Sequence, residues 1–411
     1  MKVFFKTFGC RVNQYETEGL REKLLKDGVT TAVADFETAD LCVVNTCTVT
    51  NEADRDALKL LRRINRRNPA ARVVVTGCLA NRDAQVIRDT IPQALIVGNE
   101  DKDNIPALLG CRPAPDEAGI QGFANHSRAF IKVQDGCNMH CTYCIIPSVR
   151  PTLDSRPIDV VINEVRTLIA SGYQELVFAG IRLGRYMVED QGKRVDFVEM
   201  LRRVLSLEGN FRVRLSSFEV TDVTDRFLGL YDEFGDKLCP YLHLPLQSGS
   251  DKILKGMERW YSTKFYAKRI EALKKKVPGV GLFTDLMVGF PGEGEKEFIE
   301  SQRFVAAMRF SGLHVFRYSK RDGTPAVDFP DQVSEAELVE RSARMRAFDK
   351  ELRGFFAAKA VGSDRQVLVE AKNASVEGVT DHFLRVTLDR NPGAGLHRVK
   401  IHPASQAVVI D

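Results

Sequence analysis

The stretch Asp135–Arg150, DGCNMHCTYCIIPSVR, carries three cysteines, Cys137, Cys141 and Cys144, in a CxxxCxxC spacing. It follows directly on AFIKVQD (Ala129–Asp135), a short β-branched apolar run that reads as a buried strand. A loop at the C-terminal end of a parallel barrel strand is where such folds place chemistry. Structural zinc sites of this kind usually pair two CxxC units to supply four ligands, and no fourth ligand stands at a matching local spacing. Three thiolates on an iron–sulfur cubane instead leave one iron open, so the triplet reads as an iron–sulfur site.

Downstream, five further runs continue the series: ELVFAGI, RVRLSSF, YLHLPLQS, GLFTDLMVGF and SGLHVFRYS, with helical stretches between them such as Asp159–Ala170 and Glu293–Met308. Six βα units in about 190 residues predict a partial (β/α)6 barrel, since a full eight-unit barrel needs more chain. Upstream, MKVFFKTF, LCVVNTC, ARVVVTGC and ALIVG alternate with helical stretches around Gln14–Lys26, Glu52–Asn68 and Asn81–Thr90. That is βαβ logic, and it predicts a small doubly wound parallel sheet. The Gly- and Pro-containing segment Gly110–Arg128 reads as the linker between the two.

A capping-box pattern, Ser334-x-x-Glu337, opens a helix expected to run to about Lys359. Beyond it RQVLVEA, FLRVTLD, HRVKIHP and AVVI are short alternating strands with Gly turns, which predict a small antiparallel β-barrel. The expected class is therefore α/β, with an N-terminal domain over residues 1–112, a barrel domain over 123–358 and a terminal β-domain over 359–411.

Among the nine cysteines, Cys10, Cys47 and Cys78 are far apart in sequence. Each nevertheless ends one expected parallel strand of the first domain. In a doubly wound sheet those ends converge on one crevice, so the three thiols are expected to meet as a second cluster site. Cys42, Cys111 and Cys239 lack this pattern and read as core or incidental residues.

Bulk properties agree with a soluble chain: 44% hydrophobic, 28% charged, net charge +4. No apolar run approaches the roughly 18 residues of a bilayer span, and the N-terminus turns polar too soon for a signal peptide. A cytoplasmic protein is expected.

The two triplets together resemble the methylthiotransferases, a radical S-adenosylmethionine family, over essentially the whole chain. The resemblance is carried by TFGCRVNQYETE (Thr7–Glu18), NTCTVT (Asn45–Thr50), TGC (Thr76–Cys78), RLSSFE (Arg214–Glu219), HLPLQSGSD (His243–Asp251), TDLMVGFPGE (Thr284–Glu293) and YSKRDGTPA (Tyr318–Ala326). It implies two 4Fe-4S clusters, held by Cys137, Cys141 and Cys144 in the barrel and by Cys10, Cys47 and Cys78 in the N-terminal domain. It also implies S-adenosylmethionine as cofactor, a TRAM-type RNA-binding C-terminal module, and a reductant such as flavodoxin or ferredoxin. Nothing in the sequence demands more than a monomer. Gly180, Ser217, Glu219, Gln247, Ser248 and Gly289 lie at barrel-strand ends and are the expected cofactor contacts. Each has a plainer reading: Gly289 as a turn, Glu219 as a helix cap.

Gly9–Thr17, GCRVNQYET, resembles the branch acting on tRNA threonylcarbamoyladenosine, 3′ of the anticodon. The implied reaction places a methylthio group on carbon 2 of that adenine. The other readings are isopentenyladenosine tRNA, a ribosomal-protein aspartate, or a non-catalytic RNA-binding iron–sulfur sensor. For RNA, Lys59, Arg63 and Arg67, flanked by Arg62 and Arg66, form a basic stripe on one helix, with Leu58, Leu61 and Ile64 opposite. The C-terminal module, with 7 Lys/Arg against 6 Asp/Glu from Lys359 to Asp411, is barely positive. Arg385, Arg398 and Lys400 could line one edge of it, and Phe383 could stack on a base or belong to the core.

Overall fold

The computed structural model describes residues 1–26, 30–111, 119–123, 127–370 and 376–410. The N-terminal sheet has five parallel strands: β1 (Lys2–Thr7), β2 (Thr31–Val33), β3 (Leu41–Thr46), β4 (Arg72–Gly77) and the short β5 (Leu95–Ile96). Their order is β2-β1-β3-β4-β5, so β1, β3 and β4 are neighbours. β3 is buried at every position, as a central parallel strand covered on both faces must be.

One face carries the helix Asn51–Arg67, which buries Ala57, Leu61 and Ile64 and leaves its lysine and arginines outside. The other face carries the helix Arg11–Leu25. The helix expected over Asn81–Thr90 is two: Cys78–Arg82 and Ala84–Thr90. Asp83 breaks it because its carboxylate accepts from Val86 N at 3.0 Å and caps the second piece.

The central domain opens with β6 (Ala129–Asp135) and its antiparallel edge β7 (Asp154–Ser155), followed by β8 (Glu175–Gly180). A surface hairpin, β9 (Met187–Asp190) with β10 (Lys193–Asp196), precedes β11 (Arg212–Leu215), β12 (Tyr241–His243), β13 (Gly281–Val288) and β14 (Gly312–Arg317). The parallel order is β6-β8-β11 in one sheet and β12-β13-β14 in the next. Single bridges, Val213 to Leu238 and Ser217 to His243, carry the wall across the gap. Six consecutive parallel strands with helices outside make the partial barrel, open between β14 and the β6–β7 edge.

Of the expected linker, residues 112–118 and 124–126 lie outside the described residues. Residues 119–123 dock firmly: Ile120 N donates to Glu164 at 2.7 Å, and Gln121 N and Gly122 N donate to Glu22 at 2.9 Å each.

The helix Glu335–Ala360 is capped at Ser334 by both bonds of the capping box. It delivers the chain to a closed barrel of β15 (Asp364–Val369), β16 (Glu377–Thr380), β17 (Arg385–Leu388), β18 (Gly395–His402) and β19 (Gln406–Val409). Four pairings are antiparallel as expected, while β17 and β19 close it in parallel.

This module is locked beneath the large barrel. Arg212 donates to Gln366 O at 3.0 Å and Val379 O at 2.9 Å, and Arg214 donates to Thr380 O at 3.0 Å and Asp381 O at 2.9 Å. Buried Glu175 balances both guanidiniums from β8. Phe383, in left-handed backbone at φ 74°, stacks 4.7 Å from Tyr241 and 5.5 Å from Phe283. It is therefore interdomain core and does not face a base.

Candidate metal centres and active site

The first cysteine loop is tied at both ends. Gly136 turns the chain out of β6 at φ 73°, where a Cβ would lie 1.8 Å from Thr152 O. Cys137 N then donates to Arg150 O at 3.1 Å, and Cys144 N to Cys141 O at 3.0 Å. Thr142 pins the outer part, its hydroxyl donating to Gly256 O at 2.8 Å.

Two donors already face the sulfurs: Met139 N reaches Cys137 Sγ at 3.4 Å, and Arg259 Nη1 reaches Cys141 Sγ at 3.3 Å. Donors aimed at sulfur suit thiolates on an anionic cluster. Burial pushes the Cys144 thiol up to about 12, and a bound metal would deprotonate it on coordination. Tyr143 packs edge-on to Phe290, centroids 6.4 Å apart, which is a packing role.

The second triplet stands where three neighbouring strands end. Cys10 precedes the helix Arg11–Leu25, Cys47 follows β3 directly, and Cys78 opens the helix after β4. Gly9, at φ 94°, leaves no room for a side chain, because a Cβ would sit 2.6 Å from Cys47 Cβ and 2.8 Å from its sulfur. Asn13 donates to Thr46 O at 2.9 Å while Asn45 returns a bond to Asn13 O at 3.0 Å. That exchange explains why asparagines follow Cys10 and precede Cys47. Cys10 is exposed, while Cys47 and Cys78 are buried. Burial raises the Cys47 thiol to about 12.

The two loops are adjacent. Cys78 shares an apolar cluster with Ile145 and Val149, from the helix that follows Cys144. Beside it lies a buried polar network that no sequence pattern announces. Arg150 forks onto Glu16 with both terminal nitrogens, onto Asp135 at 2.6 Å, and onto Asn13 Oδ1 at 3.0 Å. Lys102 and Lys132 also reach Glu16, at 2.5 and 2.9 Å. Burial opposes ionisation of Glu16, yet these three cations hold it well below the usual carboxylate range. Arg150 also lies within electrostatic reach of Cys10 and Cys78.

Of the expected cofactor contacts, Gly180 ends β8 with its would-be Cβ 3.1 Å from Gln134 Oε1. Ser217 is exposed beside the His243 bridge. Glu219 makes no cap bond to the short helix after it; both its oxygens accept from Arg259 Nη2, at 2.9 and 2.7 Å. Gln247 is in left-handed backbone at φ 68° and bridges to β13 through Asp285 and Met287. Ser248 is buried, its hydroxyl 3.2 Å from that of Ser301. Gly289 turns at φ 75° where a Cβ would strike Leu338.

Sequence reading missed Arg150, Arg259 and a lumen trio. In the trio, Asp285 accepts from His243 Nε2 at 2.9 Å with His314 Nδ1 at 3.5 Å. For the trio the available signal was its place on neighbouring barrel strands, β12, β13 and β14; Arg150 and Arg259 each follow a short helix and carry no such signal.

Comparison with known proteins agrees with this geometry. Residues 2–98 match the Uncharacterized protein family UPF0004, and residues 131–305 match the Radical SAM superfamily. A threonylcarbamoyladenosine tRNA methylthiotransferase MtaB of Bacillus subtilis is 37% identical, the match covering 93% of this chain and 89% of that one. A tRNA-2-methylthio-N(6)-dimethylallyladenosine synthase of Sphingopyxis alaskensis is 33% identical over 89% of this chain and 86% of its own. The solved structure of the radical S-adenosylmethionine methyltransferase TsrM from Kitasatospora setae, with tryptophan and aza-SAM bound, superposes with a TM-score of 0.58 at 14% identity. The superposition covers 79% of this chain and 75% of that one, a likeness of fold. With two cysteine triplets on adjoining strand ends and identity above 30% along nearly its whole length, this chain belongs to the radical S-adenosylmethionine tRNA methylthiotransferases.

Proposed function

We propose that the chain converts N6-threonylcarbamoyladenosine of tRNA, 3′ of the anticodon, to its 2-methylthio derivative. The observation that carries this is the junction of the two cysteine loops through Cys78, Ile145, Val149 and the Arg150–Glu16 network. A radical source and a sulfur donor have to share one substrate atom, and here the two loops pack directly against each other. GCRVNQYET at Gly9–Thr17 supports the threonylcarbamoyl branch, as does the name of the Bacillus subtilis relative.

Cys137, Cys141 and Cys144 would hold the barrel 4Fe-4S cluster, and Cys10, Cys47 and Cys78 an auxiliary one. With S-adenosylmethionine these supply radical generation and the methylthio group. The protein's part is placement. Arg259 holds Cys141 and Glu219 in one register, Gly9 and Gly77 let the auxiliary loops close on each other, and the buried Ile145 and Val149 pack on Cys78 between them. Gly180, Ser217, Glu219 and Gln247 would border the cofactor space at the strand ends, with Ser248, buried against Ser301, and Gly289, packed on Leu338, holding the turns behind it.

For tRNA, the exposed side of the helix Asn51–Arg67 offers Lys59, Arg62, Arg63 and Arg66, while Arg385, Arg398 and Lys400 are exposed on the small barrel. A flavodoxin- or ferredoxin-type donor would supply the electron to a monomeric enzyme. Among the described residues, no helix is long and apolar enough to cross a membrane.

The test is anaerobic reconstitution with iron and sulfide, then assay with S-adenosylmethionine, dithionite and tRNA carrying threonylcarbamoyladenosine, read by mass spectrometry of nucleosides. A 2-methylthio product supports the reading. Product only from isopentenyladenosine tRNA moves the substrate to the other branch. Deoxyadenosine without any methylthio nucleoside defeats the tRNA assignment. Replacing Cys137, Cys141 and Cys144 with Ala should halve the bound iron; full loss would deny a second cluster.

A further inference from the structure

Arg182, just past β8 in AGIRLG, is 3% exposed, yet Nε, Nη1 and Nη2 all lack a hydrogen-bond partner. Among the described residues no other buried guanidinium is orphaned at all three nitrogens. Arg212, Arg214 and Arg341 all reach carboxylates or carbonyls. The backbone of Arg182 is well fixed, its N–H donating to Gln134 Oε1 at 2.7 Å and its carbonyl accepting from Arg185 N at 2.8 Å. Among the described residues its guanidinium rests on the Trp260 ring, 4.5 Å from the centroid, over which Arg185 also lies at 5.8 Å.

The nearby anions do not take it. Both oxygens of Glu219 are held by Arg259, and Asp222 turns its Oδ2 toward Gly184, where it too has no partner. Asp222, Glu219 and Cys137 lie within electrostatic reach, which sets the guanidinium beside the cluster loop at the barrel mouth. Trp260 is half-exposed, so the cradle opens outward.

A buried, unpaired guanidinium is costly to fold. Its planar fork fits a carboxylate through two parallel bonds. We infer that Arg182 is the receptor for a ligand carboxylate at the barrel mouth. Two sources share that chemistry: the methionine carboxylate of S-adenosylmethionine, and the threonyl carboxylate of the modified adenosine. The second source rests on the function proposed above; the first does not.

The experiment uses reconstituted holoenzyme with Arg182→Gln and Arg182→Lys, matched to wild type in iron and sulfide content. S-adenosylmethionine binding is read by equilibrium dialysis and by its perturbation of the reduced-cluster EPR signal. tRNA binding is read with threonylcarbamoyladenosine and with unmodified adenosine at the target position. If the cofactor carboxylate docks on Arg182, Arg182→Gln weakens S-adenosylmethionine binding by about tenfold or more, and Lys recovers part of it. If the threonyl carboxylate docks there, cofactor binding holds while the tenfold loss falls only on the modified tRNA.

Equal loss on both tRNAs with intact cofactor binding overturns the inference, since it would signal a backbone phosphate. Both affinities within about twofold of wild type also overturn it. A wild-type enzyme that makes no 2-methylthio product from the modified tRNA would sink the proposed substrate, while leaving the cofactor arm to stand or fall alone.

Discussion

Glu16 and Arg150 form a two-pronged ion pair, Nη1 to Oε1 and Nη2 to Oε2 at 2.9 Å each, with side chains 9% and 1% exposed. Glu16 belongs to the helix that Cys10 precedes, and Arg150 to the turn that closes the Cys137–Cys144 loop. The pair thus clamps the two cysteine loops in a fixed mutual position. Without Arg150, Glu16 keeps Lys102 and Lys132 but loses the fork that ties it to the cysteine loop, a loss of about 1.5–3 kcal/mol. Arg150→Gln should lower the unfolding midpoint accordingly in chemical denaturation. In the folded fraction it should raise deoxyadenosine formed per methylthio product. A variant with wild-type stability and coupling would remove the clamp from the account.

Arg259 bonds to Cys141 Sγ at 3.3 Å. A cationic donor on a cluster ligand favours the reduced, more negative state. Arg259→Gln should therefore lower the barrel-cluster potential, on the order of 50 mV for roughly 1 kcal/mol of lost preference. An EPR-monitored redox titration reads this directly, with the auxiliary cluster as internal reference. An unchanged midpoint would show that the contact does not survive cluster assembly.

Gly9 has no space for even a methyl group beside Cys47. Gly9→Ala should displace that cysteine and cost the protein about half its iron, leaving reductive cleavage of S-adenosylmethionine in place. Iron analysis with a deoxyadenosine assay separates this from general unfolding, which would abolish both.

Glu293 closes the GFPGE turn, accepting from Gly289 N at 2.7 Å and facing Arg341 at 3.2 Å. Burial pushes its carboxyl up to about 7, the Gly289 bond and Arg341 opposing only in part. The native state then keeps a proton that the unfolded chain loses above its ordinary carboxylate pKa. Stability from this group is complete below about pH 4.5 and declines as pH rises through about 7. Glu293→Gln should flatten that decline by about 1–3 kcal/mol in urea unfolding compared at pH 5 and pH 8. Parallel curves for the two proteins would refute it.

The readable parts of this chain were those with a local or periodic signature. β3 and β4 announce themselves as short runs rich in β-branched residues, and Ser334 with Glu337 marks a helix start that the structure caps with both bonds. The convergence of Cys10, Cys47 and Cys78 was legible because neighbouring parallel strands must end side by side. The long-range partners left no such trace. Arg150 and Glu16 are 134 residues apart, and a solitary arginine after IIPSV reads no differently from a surface charge. Phe383 alternates like any strand aromatic, so only its left-handed backbone, which no neighbouring residue dictates, turns it toward Tyr241. The parallel closure of β17 on β19 likewise depends on how the chain wraps after Pro403, beyond the reach of strand patterning.

Arg212 and Arg214 grip the small barrel by main-chain carbonyls at Gln366, Val379, Thr380 and Asp381. Carbonyls are common to every sequence, so this attachment constrains the path of two turns and little of their lettering. The module's outward strands are thereby free to drift in charge and shape, while its seat beneath the large barrel stays put. A chimaera carrying a foreign barrel with the same turn path, and an aromatic in place of Phe383, should dock without redesign of the catalytic half.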